Sequence, residues 1–227
     1  MEPLFKLGLP EVQARLPRSV IKLINSRLRY VEEGVKRVER AAESKYPPYY
    51  VEPFLPVMSS ELEPSQIGVV YARTLPLEVD GTLQIVVQVT AALIAYGSKA
   101  TIHAVLAHEF LHYASLVKQL SSKEILSSEL TSTIFEATYV DTTGFSQLEK
   151  IYKDKSLRRL LKKKFNNGLV DEKLHEKVLK YWLAKRLPTI RLTPDSNVIR
   201  LSINSILGLR FDQSLLMRLK KLEERSR

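Results

Sequence analysis

Val105-Leu106-Ala107-His108-Glu109-Phe110-Leu111-His112-Tyr113-Ala114 is the stretch on which the reading of this chain turns. As a helix it sets His108 and His112 at i and i+4, on one face and one turn apart. Two imidazole nitrogens then reach a single cation, and Glu109, next to His108, supplies a carboxylate placed to act as a general base. Glu109 is the one charged residue in these ten, which suits a buried helix that presents a polar triplet. With 4 His and 19 Glu in 227 residues, chance supplies this spacing on the order of 0.006 times in such a chain.

Working upstream, residues 82–90 (TLQIVVQVT) and 67–74 (IGVVYART) are rich in β-branched residues and read as strands, with Asp80-Gly81 marking the turn between them. The quoted stretch belongs to a helix over 100–119, capped by Ser98 or Thr101. Ser121-Ser122-Lys123-Glu124 has capping-box form and starts a second helix that runs through Val140. Residues 19–44 carry Val20, Ile21, Leu23, Ile24, Leu28, Val31, Val35 and Val38 at three- and four-residue spacing, a long amphipathic helix with Ser19 as its cap and Gly34 as a mild defect. Five prolines within 46–65 forbid regular helix, while Tyr46, Tyr49, Tyr50 and Phe54 argue for an extended piece lying across a surface. Residues 148–186 read as basic helix broken at Asn166-Asn167-Gly168, Pro188 and Pro194 bracket a short extended piece, and a last helix covers 212–225. The expected fold class is α+β. A small mixed sheet packs on the active-site helix and on the following glutamate helix, with a long N-terminal helix before them and a mainly helical, basic C-terminal region after them. The organisation divides into residues 1–65, 66–147 and 148–227.

Composition narrows the chemistry. The chain is 44% apolar and 26% charged, ordinary for a globular protein. It has no cysteine, which excludes a disulfide framework, a thiolate metal site and a cysteine nucleophile. The net charge is +10, and residues 151–227 hold 20 basic against 8 acidic side chains. Residues 155–164 (KSLRRLLKKK) form a candidate phosphate-contacting surface for nucleic acid, flanking a stripe of Leu157, Leu160 and Leu161. Val86 to Tyr96, the most apolar run, falls short of the roughly 18–20 residues of a membrane span. No targeting segment is visible, so a soluble, cytoplasmic protein is expected.

The segment VLAHEFLHYA resembles the active-site helix of the zincin metallopeptidases, and TLQIVVQV resembles the sheet upstream of it; the resemblance covers about residues 67–141. It implies Zn2+ as cofactor, His108 and His112 as ligands, Glu109 as general base and a protein or peptide substrate. The third ligand is expected to be a carboxylate. If helices 100–119 and 122–140 pair antiparallel, Glu129 stands level with His112, while Glu136, the alternative, lies about 10 Å further along. Ser128-Glu129-Leu130-Thr131-Ser132-Thr133 is similar to the glutamate-helix motif of the gluzincins, with Ser128 where the family has Asn and Thr133 where it has Asp. His103 falls off the ligand face and His175 lies on a basic segment, so these two are expected to be structural and surface residues. Tyr113, Tyr139 and His175 are candidates for the family's additional oxyanion donor. Residues 46–65 either wrap the core or fill the cleft. Two other functions fit the same motif: a DNA-associated metalloprotease acting on DNA-bound proteins, and a catalytically silent zincin-fold binding module.

Overall fold

The helix that carries the motif is the centre of the molecule. A computed structural model describes residues 2–59, 67–79, 82–121, 148–165, 168–192 and 208–224. In chain order its elements are α1 (Pro10–Arg15), α2 (Arg18–Ala42), β1 (Tyr49–Glu52), β2 (Leu55–Ser59), β3 (Ile67–Val69), β4 (Ala72–Val79) and β5 (Thr82–Thr90). There follow α3 (Ala91–Tyr96), α4 (Lys99–Ser121), α5 (Lys155–Lys164), α6 (Glu172–Val178), β6 (Thr189–Leu192) and α7 (Gln213–Glu224). The class is α+β. The strands form two three-stranded mixed sheets, β1-β5-β4 and β3-β2-β6.

Helix α4 is capped by Ser98, whose Oγ accepts from Thr101 N at 3.0 Å. Its residues Thr101 to Ala114 are buried without interruption, the pattern of a helix enclosed on all sides. Two buried phenols hold it in place: Tyr46 Oη donates to Leu106 O at 2.9 Å and Tyr152 Oη to Ala107 O at 2.6 Å. Helix α2 lies along α4 and buries Ile24, Val31, Val38, Ala41 and Ala42. Its cap differs from expectation. Pro17 occupies the cap position and its carbonyl accepts from Val20 N and Ile21 N, so Ser19 is already inside the helix. Glu43, at φ 51°, ends the helix in the left-handed conformation.

The strands depart from expectation in two places. Residues 67–74 are not one strand. β3 ends at Val69 and β4 starts at Ala72, and the chain changes sheets between them. The proline-rich stretch is not simply laid over a surface. Its residues form β1, parallel to β5, and β2, between β3 and β6, with Tyr50, Val51 and Leu55 buried. Strand β4 pairs antiparallel with β5 from Ala72↔Val89 to Val79↔Thr82. The apolar run after β5 turns into α3, where Thr90 Oγ1 accepts from Leu93 N.

The basic region adopts the expected break. Asp154 caps α5 and Asp171 caps α6, on either side of Gly168 at φ 120°. Trp182 is fully buried and its Nε1 donates to Pro188 O at 3.0 Å. Among the described residues, no helix is long and apolar enough to cross a membrane. The helix expected over 122–140 lies outside the described residues.

Gly34 has a structural reason that helix propensity alone does not reveal. A Cβ there would stand 2.6 Å from Leu106 Cδ1 and 2.9 Å from His103 Cδ2, so the α2–α4 contact leaves no room for it. Gly34→Ala should therefore destabilise the protein, even though alanine gains about 1 kcal/mol of helix propensity. Overpacking costs about 1–3 kcal/mol, and the net loss should appear as a lower denaturation midpoint in urea. A rise in that midpoint would show that α2 and α4 separate easily.

Candidate metal centre

On α4, one helical turn brings the two imidazoles together. His108 Nε2 and His112 Nε2 are 2.9 Å apart, with ring centroids at 4.6 Å and planes at 81°. A tetrahedral zinc with Zn–N bonds of about 2.0–2.1 Å needs two such nitrogens about 3.3 Å apart, so a small opening of the pair accommodates the ion. Glu109 completes the cluster, and one ligating atom from each of the three side chains lies within 4.8 Å of the others. All three residues are buried. Nitrogen and oxygen donors together, buried on one face, are a donor set that suits a divalent transition metal.

Strand β4 holds the carboxylate. The buried Thr74 hydroxyl lies 2.9 Å from Glu109 Oε2 and 3.0 Å from Glu109 O, and its single proton serves both acceptors. Charge from Glu109 reaches further. Burial first, and then the Glu109 carboxylate, push the Tyr46 phenol well above its usual range.

The cluster opens onto a cleft of about 220 Å³. The chain from Val69 to Thr74 forms one wall. Arg73 lies on it, and its Nε donates to Gln88 Oε1 at 2.5 Å. Phe165 and Leu169 also line the cleft. They lie on either side of Gly168 and pair with each other as an antiparallel bridge. Phe165 lies flat on His108, with centroids 4.0 Å apart and planes at 5°. The cap of α6 is fastened to α4 and to the end of α5. Asp171 Oδ2 accepts from Lys164 Nζ at 2.6 Å and from Thr101 Oγ1, and Oδ1 accepts from Leu174 N. Burial raises the Asp171 carboxyl, but these hydrogen bonds outweigh it and hold the group below its ordinary value.

The structure brings together His108, Glu109 and His112. Glu129, Glu136, Tyr139, Ser128 and Thr133 lie outside the described residues. His103 is buried away from the cleft against Gly34, and His175 is exposed on α6. Tyr113 is buried and does not line the cleft; burial and then Asp212 push its phenol up to about 12. Met58 is the residue of the proline-rich segment that reaches the cleft, so among the described residues this segment supplies one wall position and does not fill the cavity.

Sequence reasoning missed Thr74, Tyr71, Phe165 and Leu169. Phe165 carries the best signal in hindsight, as an aromatic residue between a helix end and an Asn-Asn-Gly turn. Thr74 and Tyr71 sit in a strand pattern that is equally good for either face. No family model, curated protein or solved structure matches the chain.

Proposed function

We propose that the chain is a zinc-dependent metallopeptidase of the zincin type, with a protein or peptide substrate. The observation that carries this is the convergence of His108 Nε2 and His112 Nε2 beside the Glu109 carboxylate, in a buried cluster that opens onto a cleft. His108 and His112 hold the metal. Glu129, with Glu136 as the alternative, is the carboxylate assigned as third ligand from helix geometry and from the likeness to the glutamate helix. Bound zinc supplies Lewis acidity, which acidifies a water and polarises a carbonyl.

The chain's own residues do the rest. Glu109 takes the proton of the attacking water and passes it to the leaving amine. Thr74 orients that carboxylate through its bond to Oε2. Among the described residues β4 is an edge of its sheet, and Ala72, Arg73 and Thr74 line the cleft. An extended peptide can therefore add to this edge by backbone hydrogen bonds.

A second reading places the same core on a nucleic-acid surface. The burial of Leu157 and Leu161 in α5 favours it, because this turns Lys155, Arg159, Lys162 and Lys163 outward together.

Zinc-loaded wild type should degrade unfolded casein, and a chelator should stop it. Glu109→Gln should lower the rate by about 10²–10⁴-fold while zinc, measured by mass spectrometry, stays bound; His112→Ala should lose the zinc as well. Full activity in Glu109→Gln would refute the mechanism. Zinc binding by a wild type that cleaves nothing would point to the silent module. For the second reading, duplex DNA affinity should fall by orders of magnitude between about 50 and 200 mM salt. It should also drop when Lys155, Arg159 and Lys162 are changed to Ser, and DNA should stimulate casein cleavage. Salt-independent binding would count against a phosphate-contacting face.

A further inference from the structure

A guanidinium carries several N–H donors, and among the described residues Arg73 uses only Nε, which donates to Gln88 Oε1. Arg73 is half-buried on β4, where the strand walls the cleft. Successive residues of a strand point to opposite faces. Thr74 reaches Glu109 on α4, so Arg73 lies on the face turned away from α4. There it ends a row of cross-strand partners: Tyr50 pairs with Gln88, and Gln88 with Arg73. Hydrogen bonds run along this row, since Gln88 Nε2 donates to Tyr50 Oη at 2.7 Å. The next place in the row lies beyond the edge of β4, where no strand of the described residues stands. We propose that Arg73 sets substrate specificity by binding the side-chain carboxylate of an aspartate or glutamate, at the peptide position that pairs opposite it when the substrate adds to this edge. The inference rests on the metallopeptidase reading and deepens it by naming an acidic peptide as substrate.

The carboxylate within this network is already taken. Glu52 Oε2 accepts from Lys6 Nζ at 2.7 Å and from Gln88 Nε2 at 3.0 Å, and Oε1 accepts from Phe54 N at 3.3 Å. Lys6 thus balances the charge of Glu52, and the charge of Arg73 is left for a ligand. Gln88 is buried and fixed at both ends of its amide, by Tyr50 and Glu52 on the nitrogen and by Arg73 on the oxygen. The guanidinium is therefore oriented before a substrate arrives, and less side-chain freedom is lost on binding.

Strand geometry selects the partner. A residue directly opposite Arg73 on an added strand points to the same face, with Cβ atoms about 4.5–5.5 Å apart. That separation suits a guanidinium fork on a carboxylate. Opposite charges at such a pair attract and like charges repel, so Asp and Glu are selected and Lys is rejected. The net charge of +10 acts in the same direction at longer range. The adjoining peptide residue, opposite Thr74, faces the side of Glu109, which sets the selected position close to the bond that is cut.

The test uses one casein-derived sequence, acetylated and amidated at its ends and carrying a fluorophore and quencher, with Glu, Gln or Lys placed at each position around the cleaved bond in turn. The enzymes are zinc-loaded, full-length wild type, Arg73→Gln and Arg73→Glu, with zinc content and Tm measured for each. At one position wild type should prefer Glu over Gln by about tenfold in kcat/KM, with Lys poorest. Arg73→Gln should bring the three peptides within about twofold of one another, and Arg73→Glu should make the Lys peptide the best. Calorimetric titration of Glu109→Gln, which holds peptide without cutting it, should give the same order in Kd, and the Arg73→Gln, Glu109→Gln double variant should lose it. Arg73→Gln keeps a polar side chain beside Gln88 and carries the test by itself if the charge reversal does not fold. A wild type that cleaves without favouring Glu at any position, or a preference that survives in Arg73→Gln, would overturn the role of Arg73 and leave the metallopeptidase reading standing. A zinc-loaded wild type that cleaves none of the peptides would overturn both.

Discussion

A helix enclosed by protein on every side must find a partner for each polar group it carries, because an unpaired buried polar group costs several kcal/mol and a lone charge costs more. Helix α4 lives under this constraint from Thr101 to Ala114, with His103 Nε2 left as an exception. Its neighbours look assembled to meet it. Thr74 comes from β4 to Glu109, Asp171 comes from the cap of α6 to Thr101, and Tyr46 and Tyr152 come to the carbonyls of Leu106 and Ala107. The site is a place where the core has been made polar, with the surrounding elements positioned by that polarity.

The same constraint ties the basic C-terminal region to the centre. Tyr152, Phe165 and Asp171 all come from beyond residue 147, and each touches α4 directly. The Lys164–Asp171 pair ties the end of α5 to the cap of α6, and the Thr101 hydroxyl joins that pair to the helix that bears His108. Phe165 is therefore delivered onto His108 by a short, braced piece of chain. A flat aromatic contact on one imidazole face restricts the ring without occupying Nε2, and Nε2 is the atom that faces His112.

Much of this could be read from the chain, and the failures have identifiable causes. The α4 helix, its Ser98 cap, the strand 82–90 and the break at Gly168 were legible because each rests on local chemistry: periodicity, a capping hydroxyl, β-branching, a turn glycine. Strand 67–74 was not legible as two strands, since Val70 and Tyr71 have good β-propensity and only pairing partners decide that the chain changes sheets there. The α3 helix was hidden because Ala91 to Tyr96 continues the apolar run of β5 with no polar residue to mark a period. The proline-rich strands were missed because Pro47, Pro48, Pro53 and Pro56 argue against a sheet interior, yet β1 runs only four residues and fits between Pro48 and Pro53, and β2 takes Pro56 into the strand opposite Ile190. Of the candidate site, the cluster of His108, Glu109 and His112 was legible from spacing alone. The residues that shape the cleft were not, since outside α4 they come from four separate stretches of chain.

A separation of 2.9 Å between two imidazole nitrogens has two chemical explanations, and Glu109 is what separates them. Two neutral histidines can share one Nε2–H as an ordinary hydrogen bond, and a core histidine pair would do just that. Such a pair is complete in itself and has no use for a carboxylate. Yet the third member of this cluster is a buried glutamate whose Oε2 already accepts from Thr74. Burying a carboxylate costs several kcal/mol even after relaxation, and a hydroxyl donor recovers only a part of that. A divalent cation in the same cluster changes the balance. It would take both Nε2 atoms as lone-pair donors, leave their protons on Nδ1 and set positive charge beside the carboxylate. A cation held there would offset part of the cost of burying Glu109, and the three side chains form a cluster that could hold a metal ion.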